Sequence, residues 1–316
     1  MIGSQKIILL TILVVINLLL VSVGLWYIYH IQSSFALSTL VTPTQNTQKT
    51  AVPSINIWTP SPSPSSLPSP TFIPPRSTVT PTSLPYNSIQ IGSSVGGKPI
   101  LIYSYGKGEK TYLIVAGIHG GNEYNTVLLA EQLMAFLSSH PEAIPKDKTL
   151  FILPNLNPDG FERSWDIYGR ANDHGVDLNH NFPFQWAQDW KRDGCWRYLH
   201  LGGGDAPASE PETQALMGFI LTHPIQALIS YHSAALGIFP GGQPPYPPSL
   251  SLARAIAKVS DYPYPPIDTG CQVSGNLTDW AASLGIASVD IELSNHRDTD
   301  FEQNLQILET FLRWKR

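Results

Sequence analysis

Apolar and polar positions fall into three regimes along the chain. Residues 7–28 are apolar almost without interruption, broken only by Thr11, Asn17 and Ser22. Residues 36–86 show no periodicity; they are built largely of Pro, Ser and Thr and hold eleven of the 28 prolines. From residue 87 onward, short continuous apolar runs alternate with stretches of helical spacing. Ser88 to Tyr105 reads as a hairpin turning at Gly96-Gly97. Thr111–Ile118, Thr149–Leu153, Ala227–Tyr231 and Ile286–Leu293 are continuous apolar runs, the pattern of strands buried on both faces. Helical spacing covers Glu123–Leu137, Ser209–Leu221, Ser251–Val259, Leu277–Leu284 and Asp300–Trp314. Ser209 with Glu212 three residues on predicts a capping box at the start of the second of these. Strands alternating with helices predict an α/β fold: a mixed, mostly parallel central sheet with helices on both faces.

The first two regimes set a different architecture. About 20 apolar residues span a bilayer as a helix, so residues 7–28 read as a transmembrane segment. Trp26, Tyr27 and Tyr29 sit at its far end, where amphipathic rings favour the interface. Lys6 precedes the segment and almost no charge follows it, which orients the N-terminus to the cytoplasm and the rest outside. A signal peptide cleaved after export is the competing reading, but the apolar run exceeds the usual length of such segments. Proline lacks a backbone donor and fixes φ, so residues 36–86 can neither pair strands nor continue a helix. They read as an extended stalk reaching on the order of 150 Å. The expected organisation is therefore an anchor over 1–35, a linker over 36–86 and a catalytic domain over 87–316. The expected location is the cell membrane, with the catalytic domain extracytoplasmic.

Charge narrows the partners. The net charge is -5 with no basic run, which excludes a nucleic-acid-binding role. Two cysteines, Cys195 and Cys271, are too few for a disulfide scaffold and lack the C-x-x-C spacing of a thiolate metal site. One disulfide between them and two free thiols both remain open at this stage.

In an open α/β sheet, ligands lie beyond the carboxyl ends of the strands. The first core strand runs into His119, in GIHGGNE, with Glu123 four residues later. The third runs into His232 and the fourth ends at Glu292. Two imidazoles and two carboxylates on one rim are the inventory of a zinc hydrolase: three ligands leave a position open, and a free carboxylate acts as base. His119, Glu123 and His232 are the expected ligands of one Zn2+, and Glu292 the expected base. The chain has nine histidines, so any one of them alone carries little weight; the joint arrangement carries the inference.

Further segments fall in the order of a known family. NPDGFERSW (157–165), GRANDHGVDLNHNFP (169–183), SEPET (209–213) and GNLTDWAASLG (275–285) together resemble the zinc carboxypeptidase family. The VDLN-x-NFP wording is closer to its bacterial cell-wall peptide hydrolases. The resemblance implies that Glu292 moves the proton from a zinc-bound water to the leaving amine. It implies that Arg170 stabilises the developing oxyanion, and that Asn179 helps hold the substrate's terminal carboxylate. Three departures stand out. The zinc motif carries an extra residue, which brings Asn122 into competition with Glu123; the carboxylate is the better ligand, and two glycines allow one residue to loop out. His180 replaces an arginine that grips the terminal carboxylate. Cys271 stands where many relatives have a tyrosine.

The function these residues imply is removal of C-terminal residues from peptides or cell-wall stem peptides outside the cytoplasm. Two alternatives remain: a zinc amidohydrolase acting on N-acyl amino acids, and a non-catalytic peptide-binding module. No G-x-S-x-G elbow supports a serine hydrolase.

Overall fold

The computed structural model describes residues 86–234 and 236–316. The proposed membrane segment and all but the last residue of the proposed stalk lie outside them. Among the described residues no helix is long and apolar enough to cross a membrane.

Seven strands form one sheet: β1 (Tyr86–Ser93), β2 (Pro99–Gly106), β3 (Lys110–Val115), β4 (Lys148–Leu153), β5 (Ile225–Ser233), β6 (Ile238–Pro240) and β7 (Ala287–Leu293). Their order is β1-β2-β4-β3-β5-β7-β6. The helices are α1 (Tyr124–Ser139), α2 (Pro158–Arg163), α3 (Pro211–Thr222), α4 (Pro247–Ile256), α5 (Leu277–Ser283) and α6 (Phe301–Arg313). The central strands β4, β3, β5 and β7 run parallel. The β1–β2, β2–β4 and β6–β7 pairs are antiparallel. The sheet is mixed, as expected, with parallel pairing confined to its four central strands. Only crossover connections give parallel neighbours, whereas β1–β2 is a tight hairpin and the three-residue β6 doubles back on β7.

Each side of the sheet carries its own core, because successive side chains of a strand point to opposite faces. Tyr112 and Ile114 of β3 join Leu129, Leu133 and Leu137 of α1 and Ile307, Leu308, Phe311 and Leu312 of α6. Leu113 and Val115 point the other way, to Leu216, Phe219 and Ile220 of α3 and Leu277, Trp280 and Ala281 of α5. Burying each such side chain contributes about 1.5–3 kcal/mol. Helices therefore cover both faces, as the alternation of patterns predicts.

The predicted capping box is not made. α3 starts at Pro211, one residue inside Glu210, and its N-cap accepts no side-chain bond. Ser209 Oγ bonds Glu210 Oε1 instead, and Glu212 is fully buried, accepting from Val95 N and Asn172 Nδ2. Tertiary partners for the carboxylate outweigh the local cap.

Candidate metal centre and active site

The carboxyl ends of β3, β5 and β7 gather the site. Past β3 the chain makes a 3-10 turn, Gly120–Glu123, before α1. Gly120 has φ +48°, and a Cβ on Gly121 would overlap the Ser164 carbonyl oxygen. Both glycines are therefore required for this turn, which absorbs the extra residue and brings Glu123 back to His119. Asn122 does not reach the histidines; its Nδ2 is buried without a partner. On the next strands, parallel pairing sets His232 of β5 directly beside Glu292 of β7.

His119 Nδ1 lies 2.8 Å from Glu123 Oε1, and His232 Nδ1 lies 3.2 Å from Glu123 Oε2. The two Nδ1 atoms are 3.2 Å apart. All three residues are buried, and their donor atoms lie within 4.8 Å of one another. Two imidazoles and one carboxylate converging through adjacent atoms fit the His2Glu set of a catalytic zinc, with no thiolate nearby to suggest a closed structural site. Burial would raise the Glu123 carboxyl, but His119 and His232 hold it well below the usual carboxylate range, ionised and ready to bind a cation.

The rear nitrogens of the histidines are anchored by residues the sequence reasoning passed over. His119 Nε2 lies 3.1 Å from Asp177 Oδ1. His232 Nε2 faces Ser230 Oγ at 3.0 Å and Asp290 Oδ1 at 3.4 Å. A carboxylate thus stands behind each imidazole, on the side away from the Nδ1 atoms that converge with Glu123; Arg170 Nη2 also lies 2.9 Å from His119 Nε2. The signal was present in both cases. Asp177 lies two residues before Asn179 in VDLN, and Asp290 lies two before Glu292, hence on the same face of β7.

Arg170 is buried against this cluster. Its Nε donates to Asp177 Oδ2 at 2.8 Å and its Nη1 to Glu123 Oε1 at 3.2 Å. Its guanidinium carbon lies 4.5 Å from the centre of the Trp196 ring. Burial alone would lower Arg170, but Asp177 and Glu123 raise it, so it stays charged. Glu292 is partly exposed, and its Oε2 has no partner. Burial first, and the Glu123 charge second, push its carboxyl up to about 8. Asn179 Oδ1 accepts from Leu277 N at 3.1 Å, and Nδ2 points toward His232 Nε2 at 3.4 Å. His180 is 8% exposed. Its Nδ1 sits 2.8 Å from Ser274 O, and its ring stacks on Trp190 at 3.5 Å. Every residue predicted for the site thus lies in or beside one buried cluster.

Cys195 and Cys271 form a disulfide. It ties the loop carrying Trp190 and Trp196 to the segment leading into α5. A shallow cavity of about 570 Å³ opens beside it, lined by Trp190, Lys191, Gln243, Cys271 and Ser274 among others. A second cavity, near Tyr262 and Phe301, contains none of the site residues.

Two imidazoles, a carboxylate ligand and a separate partnerless carboxylate define the class: a mononuclear zinc hydrolase. The comparisons agree. The model of the zinc carboxypeptidase family matches residues 86–311, and the chain belongs to that family of zinc-dependent peptide hydrolases. Murein peptide amidase A of Escherichia coli K12 is 29% identical, over 73% of this chain and 92% of its own length. Mast cell carboxypeptidase A of Rattus norvegicus is 31% identical over 63% of this chain; the match spans only 56% of that relative. Among solved structures, murein-tripeptide amidase MpaA from Escherichia coli O157 superposes with a TM-score of 0.58 at 27% identity, covering 74% of this chain and 95% of that one.

Proposed function

We propose that this chain removes C-terminal residues from peptides outside the cytoplasm, with murein stem peptides as its substrate class. One observation carries the hydrolytic reading: a partnerless Glu292 carboxylate paired in register with His232 of a His2Glu donor set. When bound by His119, Glu123 and His232, zinc supplies Lewis-acid polarisation of the scissile carbonyl and an acidified water. Glu292 Oε2 would take a proton from that water and return it to the leaving amine. Arg170 holds positive charge beside the centre, where negative charge develops on the carbonyl oxygen. Asn179 Nδ2 offers a donor to the substrate's end.

The murein assignment rests on the likeness to murein peptide amidase A, which extends over almost the whole of that protein. The extracytoplasmic assignment rests on the apolar segment 7–28, the charge-poor stretch after it, and the Cys195–Cys271 bond, since disulfides persist in oxidising compartments. Zinc amidohydrolysis of N-acyl amino acids is the second reading; it would use the same His119, Glu123 and His232 ligands and the same Glu292 base.

The test is a product analysis by mass spectrometry on mixed peptides, murein stem peptides and N-acyl amino acids. Loss of single C-terminal residues, with stem peptides preferred, is expected. Turnover of N-acyl amino acids alone would replace this reading with the second, and internal cleavage would remove the exopeptidase assignment.

A further inference from the structure

Resting on the peptidase reading above, we propose that Trp196 is a positioning residue: its indole, kept in place by the Cys195–Cys271 bond, fixes the Arg170 guanidinium at the metal centre. What touches each edge and face of that guanidinium carries the inference.

Arg170 is 6% exposed, so protein groups rather than water surround its charge. Three side chains meet its edges. Nε donates to Asp177 Oδ2 at 2.8 Å, Nη1 donates to Glu123 Oε1 at 3.2 Å, and Nη2 lies 2.9 Å from His119 Nε2. Glu123 and His119 belong to the candidate metal set, so a bound cation competes with Arg170 for both and repels it at close range. Asp177 on one edge and Trp196 on one face are the contacts made outside that set. The Trp196 ring centre lies 4.5 Å from the guanidinium carbon. The negative face of an indole attracts a cation, and more strongly where water is excluded. A metal ion at the three ligands does not consume this attraction.

Trp196 lies on a stretch without helix or strand, so tertiary bonds must hold it. Its neighbour Cys195 is joined to Cys271. Cys195 N donates to Arg192 O at 3.1 Å. Arg192 covers Trp190 at 3.8 Å, and Trp190 stacks on His180 at 3.5 Å. Beyond Trp196 the chain returns to the site, where Gly202 O accepts from Asp177 N at 3.1 Å. The loop is thus tied before Trp196 by the disulfide and after it to Asp177, the same residue that holds the edge of Arg170.

A fixed guanidinium stabilises charge developing on the scissile carbonyl oxygen, because no reorganisation is needed when that charge forms. A guanidinium free to swing keeps its charge and loses that advantage. Removing the indole should therefore slow turnover, change substrate binding little, and leave the metal ligands in place.

The test uses the full-length, zinc-loaded chain. Trp196→Ala and Trp196→Leu should each lower kcat ~10-fold, the size of a desolvated cation–π contact, with KM and zinc content little changed. Trp196→Phe, which keeps an aromatic face, should restore kcat to within ~3-fold of wild type. In an Arg170→Ala background, Trp196→Ala should cost nothing further, since the two act as one unit. The paired Cys195→Ser and Cys271→Ser substitution should lower kcat by a factor comparable to Trp196→Ala. Proton exchange at Arg170 Nε, followed by NMR and assigned by its absence in Arg170→Ala, gives a readout independent of turnover. It should be at least ~10-fold faster in Trp196→Ala than in wild type. Wild-type kcat in Trp196→Ala, equal rescue by Leu and Phe, an undiminished loss in the Arg170→Ala background, or unchanged proton exchange would each overturn the inference. Full kcat in the paired cysteine variant would overturn the part assigned to the disulfide. A wild-type chain that turns over no peptide would sink the peptidase reading, and proton exchange would still decide whether Trp196 holds Arg170.

Discussion

At the scale of single residues, the site's chemistry is set by which charges are paired in the interior. Glu123, Asp177 and Arg170 are buried and mutually compensated; His180 is buried and neutral. The His180 case has a measurable consequence. Its folded pKa of about 4 lies below the ordinary 6.5, so the unfolded chain gains a proton first as pH falls. Stability from this residue is complete above pH 6.5 and is lost progressively toward pH 4, by up to about 3 kcal/mol. Urea unfolding of the wild type should show that slope, and His180→Gln should flatten it. An equal slope in both proteins would show that His180 is not the group responsible. The ligand and base candidates were legible because strand ends are easy to read from apolar runs. Asp177 and Asp290 were not singled out, because a carboxylate's role behind an imidazole depends on which nitrogen faces it. That is a matter of angle, which sequence spacing does not encode.

At the scale of elements, the turn between β3 and α1 is the decisive piece. It accommodates one residue more than the family's usual spacing and still returns Glu123 to the histidines. Its demand on the backbone is steric: a methyl group at residue 121 would overlap the Ser164 carbonyl. Gly121→Ala should therefore shift Glu123 and weaken zinc retention on dialysis at least ~10-fold, a loss typical of displaced metal-site geometry. Unchanged zinc affinity would show that the turn tolerates a side chain. The disulfide is a second element-scale device. Linking residues 76 apart, it should contribute about 2–4 kcal/mol by restricting the unfolded chain. The paired Cys195→Ser and Cys271→Ser substitution should lower the denaturation midpoint accordingly; no change would mean that the loop is held by its packing alone. The glycines of the turn were legible as permissive, though not as required, since the clash partner Ser164 lies over 40 positions away. The α3 capping box was misread for a related reason. Its local pattern is genuine, but Val95 and Asn172 claim the Glu212 carboxylate in three dimensions.

At the scale of the whole molecule, alternating patterns revealed a two-faced sheet, because β3, β4, β5 and β7 are buried runs joined by helix-containing crossovers. The antiparallel edges were less visible. β6 is three residues long, and the order β1-β2-β4-β3 depends on long-range pairing that no local pattern expresses. The segment 7–28 carries its own prediction. In cell fractionation the full chain should sediment with membranes, and protease added to intact cells should remove the catalytic domain while sparing the N-terminus. Protection of the domain would contradict an extracytoplasmic location.

A zinc ion held by His119, Glu123 and His232 is expected to work with Glu292 to hydrolyse peptide bonds. The most direct measurement is peptide turnover by the full-length chain, wild type against Glu292→Gln, each with zinc and with chelator, alongside the bound zinc content. Zinc should be present in both proteins, turnover should be lost to chelator, and Glu292→Gln should reduce the rate about 10²–10⁴-fold at unchanged zinc content. Turnover that survives the chelator, or a Glu292→Gln rate equal to wild type, would contradict it.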